Sequence, residues 1–193
     1  PPQNNFLTRI RELASRKGIV LIFDECTSGF RETFGGLHKK YGVEPDIAVY
    51  GKALGNGYAI TAVVGREEVM QSAQNTFISS TFWTERIGPT AALKTLEVME
   101  RETPWEHATD LGLYLRDLWQ QLAHRHGLQI DISGLPSLSG FTFQSPRHLA
   151  YKTLITQEML KKGYLAGTAC YVSLAHTRAV FDSYAQALDP IFG

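Results

Sequence analysis

Two adjacent carboxylates, Asp24 and Glu25, close the apolar run Gly18-Ile-Val-Leu-Ile-Phe23, and a lysine, Lys52, follows a second apolar run, Ile47-Ala-Val-Tyr50, after one glycine. In open α/β sheets ligands bind at the carboxyl ends of strands, so an acid and an amine in these places are presented for chemistry. The acid pair has two readings. It could hold Mg²⁺ beside a nucleoside triphosphate, or Asp24 could face a cationic organic group. The nucleotide reading needs a phosphate cradle of the form G-x-x-x-x-G-K-[ST]. Lys52 does follow Gly51, but position 46 is Asp and position 53 is Ala, so the first glycine and the Mg²⁺-binding hydroxyl are both lacking. Nor does a G-x-G-x-x-G follow a strand and open a helix, which leaves a nicotinamide cofactor unsupported.

The elements that must position these groups can be read from periodicity. Residues 6 to 17 carry apolar Phe6, Leu7, Ile10 and Leu13 at helical spacing and stop at Gly18. The run after Gly18 reads as a fully buried strand of a parallel sheet, ending at Phe23 or Asp24. Glu44-Pro-Asp46 is turn chemistry, Ile47 to Tyr50 a second strand, Gly51 to Gly57 a glycine loop, and Ile60 to Val64 a third strand. A short helix is expected over 66–74 and a long one from Ile87 to about Arg101. After Pro104 a leucine-rich helical pattern runs to Gly127. Two β-like runs follow, Leu128 to Ile132 and Leu138 to Phe143, and then helices at about 149–162 and 178–188. The expected organisation is therefore an α/β part, 1–103, and an α+β part, 104–193. Three strands are few for a doubly wound sheet, which points to missing upstream material.

With Asp24 and Lys52 28 positions apart (52 − 24), a right-handed parallel crossover would bring both to one edge of the sheet. A carboxylate that keeps a pyridine nitrogen protonated, with a lysine that forms a Schiff base, is the pair that pyridoxal phosphate chemistry requires.

Composition narrows the partners. The chain has 193 residues, 44% of them hydrophobic, and 19 basic against 19 acidic side chains. That balance gives no electrostatic footprint for nucleic acid or an anionic membrane. No apolar segment approaches the roughly 20 residues needed to span a bilayer, and the start lacks signal-peptide character, so the expected location is cytoplasmic. Cys26 and Cys170 lie in apolar surroundings without C-x-x-C spacing and are expected to be buried free thiols, with no metal site. The six histidines show no metal spacing either.

The motifs Leu21-Ile-Phe-Asp-Glu-Cys-Thr-Ser-Gly-Phe-Arg31, Tyr41-Gly-Val-Glu-Pro-Asp46, Gly51-Lys-Ala-Leu-Gly-Asn-Gly57, Ser80-Thr-Phe82 and Ser173-Leu-Ala-His-Thr177 together resemble the class III pyridoxal-phosphate aminotransferases, in particular the branch of glutamate-1-semialdehyde aminomutase and its aminotransferase relatives. The resemblance implies fold type I: part of a large domain with a three-layer αβα sheet over 1–103, and a C-terminal α+β small domain over 104–193. It implies Asp24 at the pyridine nitrogen and Lys52 as the Schiff-base lysine. Cys26 would pack against the cofactor ring where the family usually has valine, and Thr27 stands where many relatives have a glutamine near the 3′-oxygen. Thr81, with Ser80 beside it, would reach the cofactor phosphate of the neighbouring subunit, which implies a homodimer. The implied reaction moves an amino group from a small-molecule donor to a keto or aldehyde acceptor, or within one molecule as in the aminomutase.

Only the C-terminal half of the family is represented. The absent half would carry the phosphate loop, the aromatic over the ring's other face and much of the substrate pocket. Either the polypeptide is a fragment or a separate chain completes it, and alone it is expected to be weakly active or inactive. A non-catalytic remnant that keeps a dimerisation surface is the alternative. For several residues a plain structural role competes: Glu25 as a partner of backbone or a basic neighbour, Thr81 as a helix cap, Arg31 as an ion-pairing residue, and Leu111, Leu115, Leu118 and Leu122 as helix core. Thr177 is expected to cap the last helix.

Overall fold

A computed structural model describes residues 2–193. The chain divides into two compact units at Thr103/Pro104.

The first unit opens with helix α1 (Phe6–Lys17), which Gly18 ends in the left-handed conformation (φ 64°), donating its N–H to Ala14 and Ser15 carbonyls. Strand β1 (Ile22–Asp24) pairs parallel with β2 (Ile47–Tyr50), Ile22 opposite Ile47 and Asp24 opposite Val49. On the other side of β2, β3 (Ala62–Gly65) runs antiparallel, with Ala48 opposite Val64, so β2 is central in a three-stranded sheet. A parallel pair needs a crossover, and here it is the loop and single 3₁₀ turn (Leu37–Tyr41) between β1 and β2.

Asp46 ties α1 to this sheet. Its carboxylate accepts from Arg11 at 2.8 Å and from the Leu21 N–H at 2.7 Å, with Arg66 at 3.4 Å. The Leu21 N–H first and then Arg11 hold its pKa below the ordinary aspartate value, against the opposing effect of burial. The residue read as turn chemistry is thus a buried hub linking helix, strand entry and the residue after β3.

The expectation of a fully buried first strand is corrected. Ile22 is 54% exposed, Ile19 and Val20 are exposed too, and Val63 and Val64 on β3 are about half exposed. The apolar residues are those of an interior strand, but among the described residues of this unit nothing covers them. The strand is also shorter than its apolar run.

Downstream come α2 (Glu67–Met70), a 3₁₀ turn (Gln71–Asn75) and the long helix α3 (Ile87–Glu102). The Glu85 carboxylate accepts the Ile87 and Gly88 N–H groups, the latter at 3.1 Å, satisfying orphan donors of α3. That is the role read for Thr81, which the helix does not use. Gly88 lets α3 approach the chain at Ala59, whose carbonyl oxygen would lie 2.7 Å from any added Cβ.

The second unit has its own core. Helix α4 (Pro104–Arg125) starts with proline, whose missing N–H costs nothing in the first turn. Strands β4 (Ile130–Ser133) and β5 (Leu138–Phe143) pair antiparallel. After α5 (His148–Lys161) comes β6 (Ala169–Tyr171), which pairs antiparallel with β5 and was not read in the sequence. Helix α6 (Arg178–Phe192) is capped by Thr177, whose hydroxyl accepts from the Val180 N–H at 3.3 Å. Leu115, Trp119, Met159 and Leu188 are fully enclosed, and the Trp119 and Phe141 rings lie 4.8 Å apart. Leu111 and Leu122 are also buried and Leu118 is packed against the cluster, the core role read for this leucine row.

Candidate cofactor site

The parallel register decides where the chemistry-bearing groups fall. Asp24 ends β1, and its neighbour Glu25 extends the ladder by donating its N–H to the Val49 carbonyl at 2.9 Å. Three residues beyond Val49 stands Lys52, past the end of β2. Both strands run the same way, so acid and amine leave the sheet at the same edge. Lys52 Nζ donates to the Thr27 hydroxyl at 2.5 Å, which joins the end of β2 to the segment that follows Asp24. Lys52 also has φ 42°, a left-handed conformation uncommon for a residue with a long side chain.

Cys26 and Gly51 make the ledge tight. A Cβ on Gly51 would lie 2.7 Å from Cys26 Sγ, so only glycine admits the thiol here. Asp24 is exposed, and its Oδ1 accepts the Cys26 N–H at 3.0 Å, fixing the carboxylate at the start of the loop. Arg31 Nε donates to the Thr27 carbonyl at 3.4 Å, a loop contact.

Glu25 turns inward. Its Oε1 lies 3.0 Å from both the backbone nitrogen and Nδ1 of His38, and Ser28 donates its hydroxyl to Oε2. Burial raises its pKa, but the bonds from Ser28 and from the backbone at His38 and Leu37 outweigh that and lower it overall. The structural role read for Glu25 holds. Its partner His38, itself 5% exposed, was not foreseen. Tyr50 packs against Phe30, ring centroids 5.5 Å apart, and burial followed by the charges of Glu25 and Glu44 raises its pKa.

Of the residues read as a site, the fold brings Asp24, Cys26, Thr27 and Lys52 to one edge. Ser80 and Thr81 are exposed in the turn that precedes α3, and among the described residues no side-chain bond links them to that edge. Both cysteines are free thiols of intermediate burial, less enclosed than expected; burial raises the Cys170 pKa. Among the described residues no group of three or more His, Cys, Asp or Glu could hold a metal ion.

Residues 1–185 match the aminotransferase class-III family. The chain belongs to that family. It is similar to a 3-aminobutyryl-CoA aminotransferase of Cloacimonas acidaminovorans (36% identity over 96% of this chain and 48% of the relative) and to a glutamate-1-semialdehyde 2,1-aminomutase of Natranaerobius thermophilus (29% identity, 98% and 48%). The chain thus spans about half the length of the curated relatives it matches. Among solved structures it resembles the PLP internal aldimine form of the FumI protein of Sphingopyxis sp. MTA144, with TM-score 0.90 and 25% identity over 97% of this chain and 46% of that one. A transaminase with PLP bound superposes with TM-score 0.88 at 24% identity over the whole of this chain and 48% of the other, a likeness of fold. The first unit and the α+β second unit are therefore part of a fold-type I architecture, and the family is pyridoxal-phosphate dependent.

Proposed function

We propose that this chain carries the amine and ring-nitrogen half of an aminotransferase site, with Lys52 and Asp24 as its catalytic residues and Cys26, Thr27, Ser80 and Thr81 as further cofactor contacts. The supporting observation is the parallel β1–β2 register that sends Asp24 and Lys52 off one sheet edge, with Lys52 Nζ on the Thr27 hydroxyl. The donor set fits the cofactor's two reactive ends: an anion for a pyridinium and an amine for an aldehyde, with a glycine where a side chain would collide. Bound, pyridoxal phosphate supplies a carbonyl that captures amines and a ring that withdraws electrons from the substrate carbon.

The Asp24 carboxylate holds a proton on the ring nitrogen, because an opposite charge in hydrogen-bond reach favours the protonated ring. The Lys52 amine would hold the cofactor through its aldehyde carbon and, as a free amine, could move a proton at the substrate carbon. Thr27 gives that amine a resting partner. Cys26 would offer the ring a small soft surface. The assembly we infer is a homodimer, in which the exposed Ser80 and Thr81 would reach the cofactor phosphate of the second copy.

The first unit is read as the C-terminal part of the cofactor-binding large domain and the second as the small domain. The substrates are a small-molecule amino donor and a keto or aldehyde acceptor. Intramolecular transfer uses the same groups, and the aminomutase relatives favour it as a second reading. The relatives' other half is needed for a complete site; by itself this chain has little or no activity. The two free thiols suit a reducing cytoplasm, and among the described residues no helix is long and apolar enough to cross a membrane.

The test is amino transfer by this chain completed with an upstream half. Lys52→Ala abolishes turnover. Undiminished turnover in that variant would overturn the assignment.

A further inference from the structure

The loop between β1 and β2 has one feature that the cofactor reading leaves unused: the residue after Asp24 is a buried carboxylate facing a buried imidazole. We propose that Glu25 and His38 are positioning residues, a clamp that pins both ends of the loop leaving β1 and so fixes the Asp24 carboxylate on the cofactor ledge. The proposal rests on the reading of Asp24 as the group that faces the ring nitrogen.

Every polar group of Glu25 is engaged. Its N–H donates to the Val49 carbonyl at 2.9 Å, and its own carbonyl accepts the Gly29 N–H at 2.8 Å. Oε1 takes the His38 N–H and ring Nδ1, each at 3.0 Å, and Oε2 takes the Ser28 hydroxyl. The side chains of Glu25 and His38 are each 5% exposed. The contact to a carboxylate places the ring proton on Nδ1. The second ring nitrogen lies 3.5 Å from the exposed Glu44 carboxylate, a contact that attracts only when the ring carries a proton on both nitrogens.

Successive residues of a strand point to opposite faces, so anchoring Glu25 inward turns Asp24 outward. The same anchor holds the next residue, Cys26, whose N–H fixes Asp24 Oδ1. Thirteen positions separate Glu25 from His38, and the bond across them removes freedom from the stretch carrying Cys26 and Thr27. A carboxylate stripped of such partners while buried is costly, so the loop opens instead, and Asp24 loses its direction before any distant element feels the change.

The test needs no cofactor at first. Amide hydrogen exchange is followed in the wild-type chain and in His38→Leu, His38→Asn and Ser28→Ala; Asn keeps a donor near the place of Nδ1. His38→Leu accelerates exchange at the Cys26 amide about tenfold, the equivalent of one lost charge-assisted hydrogen bond, while the Trp119 amide in the second unit stays unchanged. His38→Asn restores most of the protection. Should His38→Leu not fold, Ser28→Ala carries the test, because it removes one bond and leaves the pair. Unchanged Cys26 exchange in these variants, or equal acceleration at Trp119, overturns the clamp.

The second readout is borohydride trapping of pyridoxal phosphate on Lys52 in the chain completed with an upstream half. The half-saturating cofactor concentration rises about tenfold in His38→Leu and returns toward wild type in His38→Asn. Equal half-saturation in all three contradicts positioning. No trapping even in the wild type refutes the cofactor reading, and positioning with it, while the exchange result still decides whether the clamp exists.

Discussion

Replacing Gly51 by alanine tests the ledge at its tightest point. The added Cβ would sit 2.7 Å from Cys26 Sγ and 3.4 Å from Thr61 Cγ2. Ordinary contacts begin at 3.4 Å, so the sulfur intrudes by 0.7 Å (3.4 − 2.7) while the Thr61 methyl is only just touched. Gly51 has extended backbone, φ −165°, so alanine brings no conformational strain, and the whole effect is steric. Overpacking on this scale costs about 1–3 kcal/mol. Cysteine has one side-chain rotation with which to yield, and the Cys26 N–H is held by Asp24, so relief is partial. Native-state amide exchange of Ile47–Tyr50 reads the loss within the first unit alone, which matters because a chain of two units need not unfold in one step. Exchange there should quicken about 5- to 150-fold, the range equivalent to that cost. Cys26→Ala removes the sulfur, so the double variant should recover at least about 1 kcal/mol relative to the sum of the two single changes. If Gly51→Ala leaves exchange unchanged, or the penalty persists in the Cys26→Ala background, the ends of β1 and β2 do not meet as described.

Other consequences follow from buried polar groups. Because the folded pKa of Asp46 lies below its ordinary value of 3.8, its ionised form stabilises the fold fully above that value, and the contribution is lost as pH falls through the folded pKa. Acid titration of the first unit's stability should show this loss in wild type and a flatter profile in Asp46→Asn, and identical profiles would contradict it. In the second unit, burial pushes the Tyr184 phenol up to about 12, and its hydroxyl accepts the Trp119 Nε1–H at 3.0 Å. Tyr184→Phe leaves that donor unpaired and should destabilise the unit by about 1–3 kcal/mol, measured by urea unfolding followed through tryptophan fluorescence in a Trp83→Phe background, where Trp105 and Trp119 both report on the second unit. Glu85→Ala, which strips the start of α3, should cost about 0.5–2 kcal/mol, seen as faster exchange over Ile87–Glu102.

The parts of this structure that could be read from sequence are those with local causes. The helices announce themselves by periodicity and by terminators such as Gly18 and Pro104. The outward placement of Asp24 and Lys52 follows from each closing an apolar run. Strand β6 escaped because Ala169-Cys-Tyr171 is too short to show alternation. Its pairing with β5 is a tertiary choice. Asp46 looked like a turn residue, since the arginine that explains it lies 35 positions earlier on another element. His38 was invisible for the same reason: neither its burial nor its contact with Glu25 leaves a local mark. The apolar run through Ile22 signals a strand, but the burial read from it fails, because Ile19, Val20 and Ile22 are exposed.

The central claim is that Lys52 is the amine that takes the cofactor. Its most direct measurement is borohydride reduction with pyridoxal phosphate, followed by mass mapping of the chain completed with an upstream half. The account predicts one pyridoxyl adduct, on Lys52, lost in Lys52→Arg. An adduct spread over other exposed lysines such as Lys39 and Lys40, or retained elsewhere when Lys52 is changed, would contradict it.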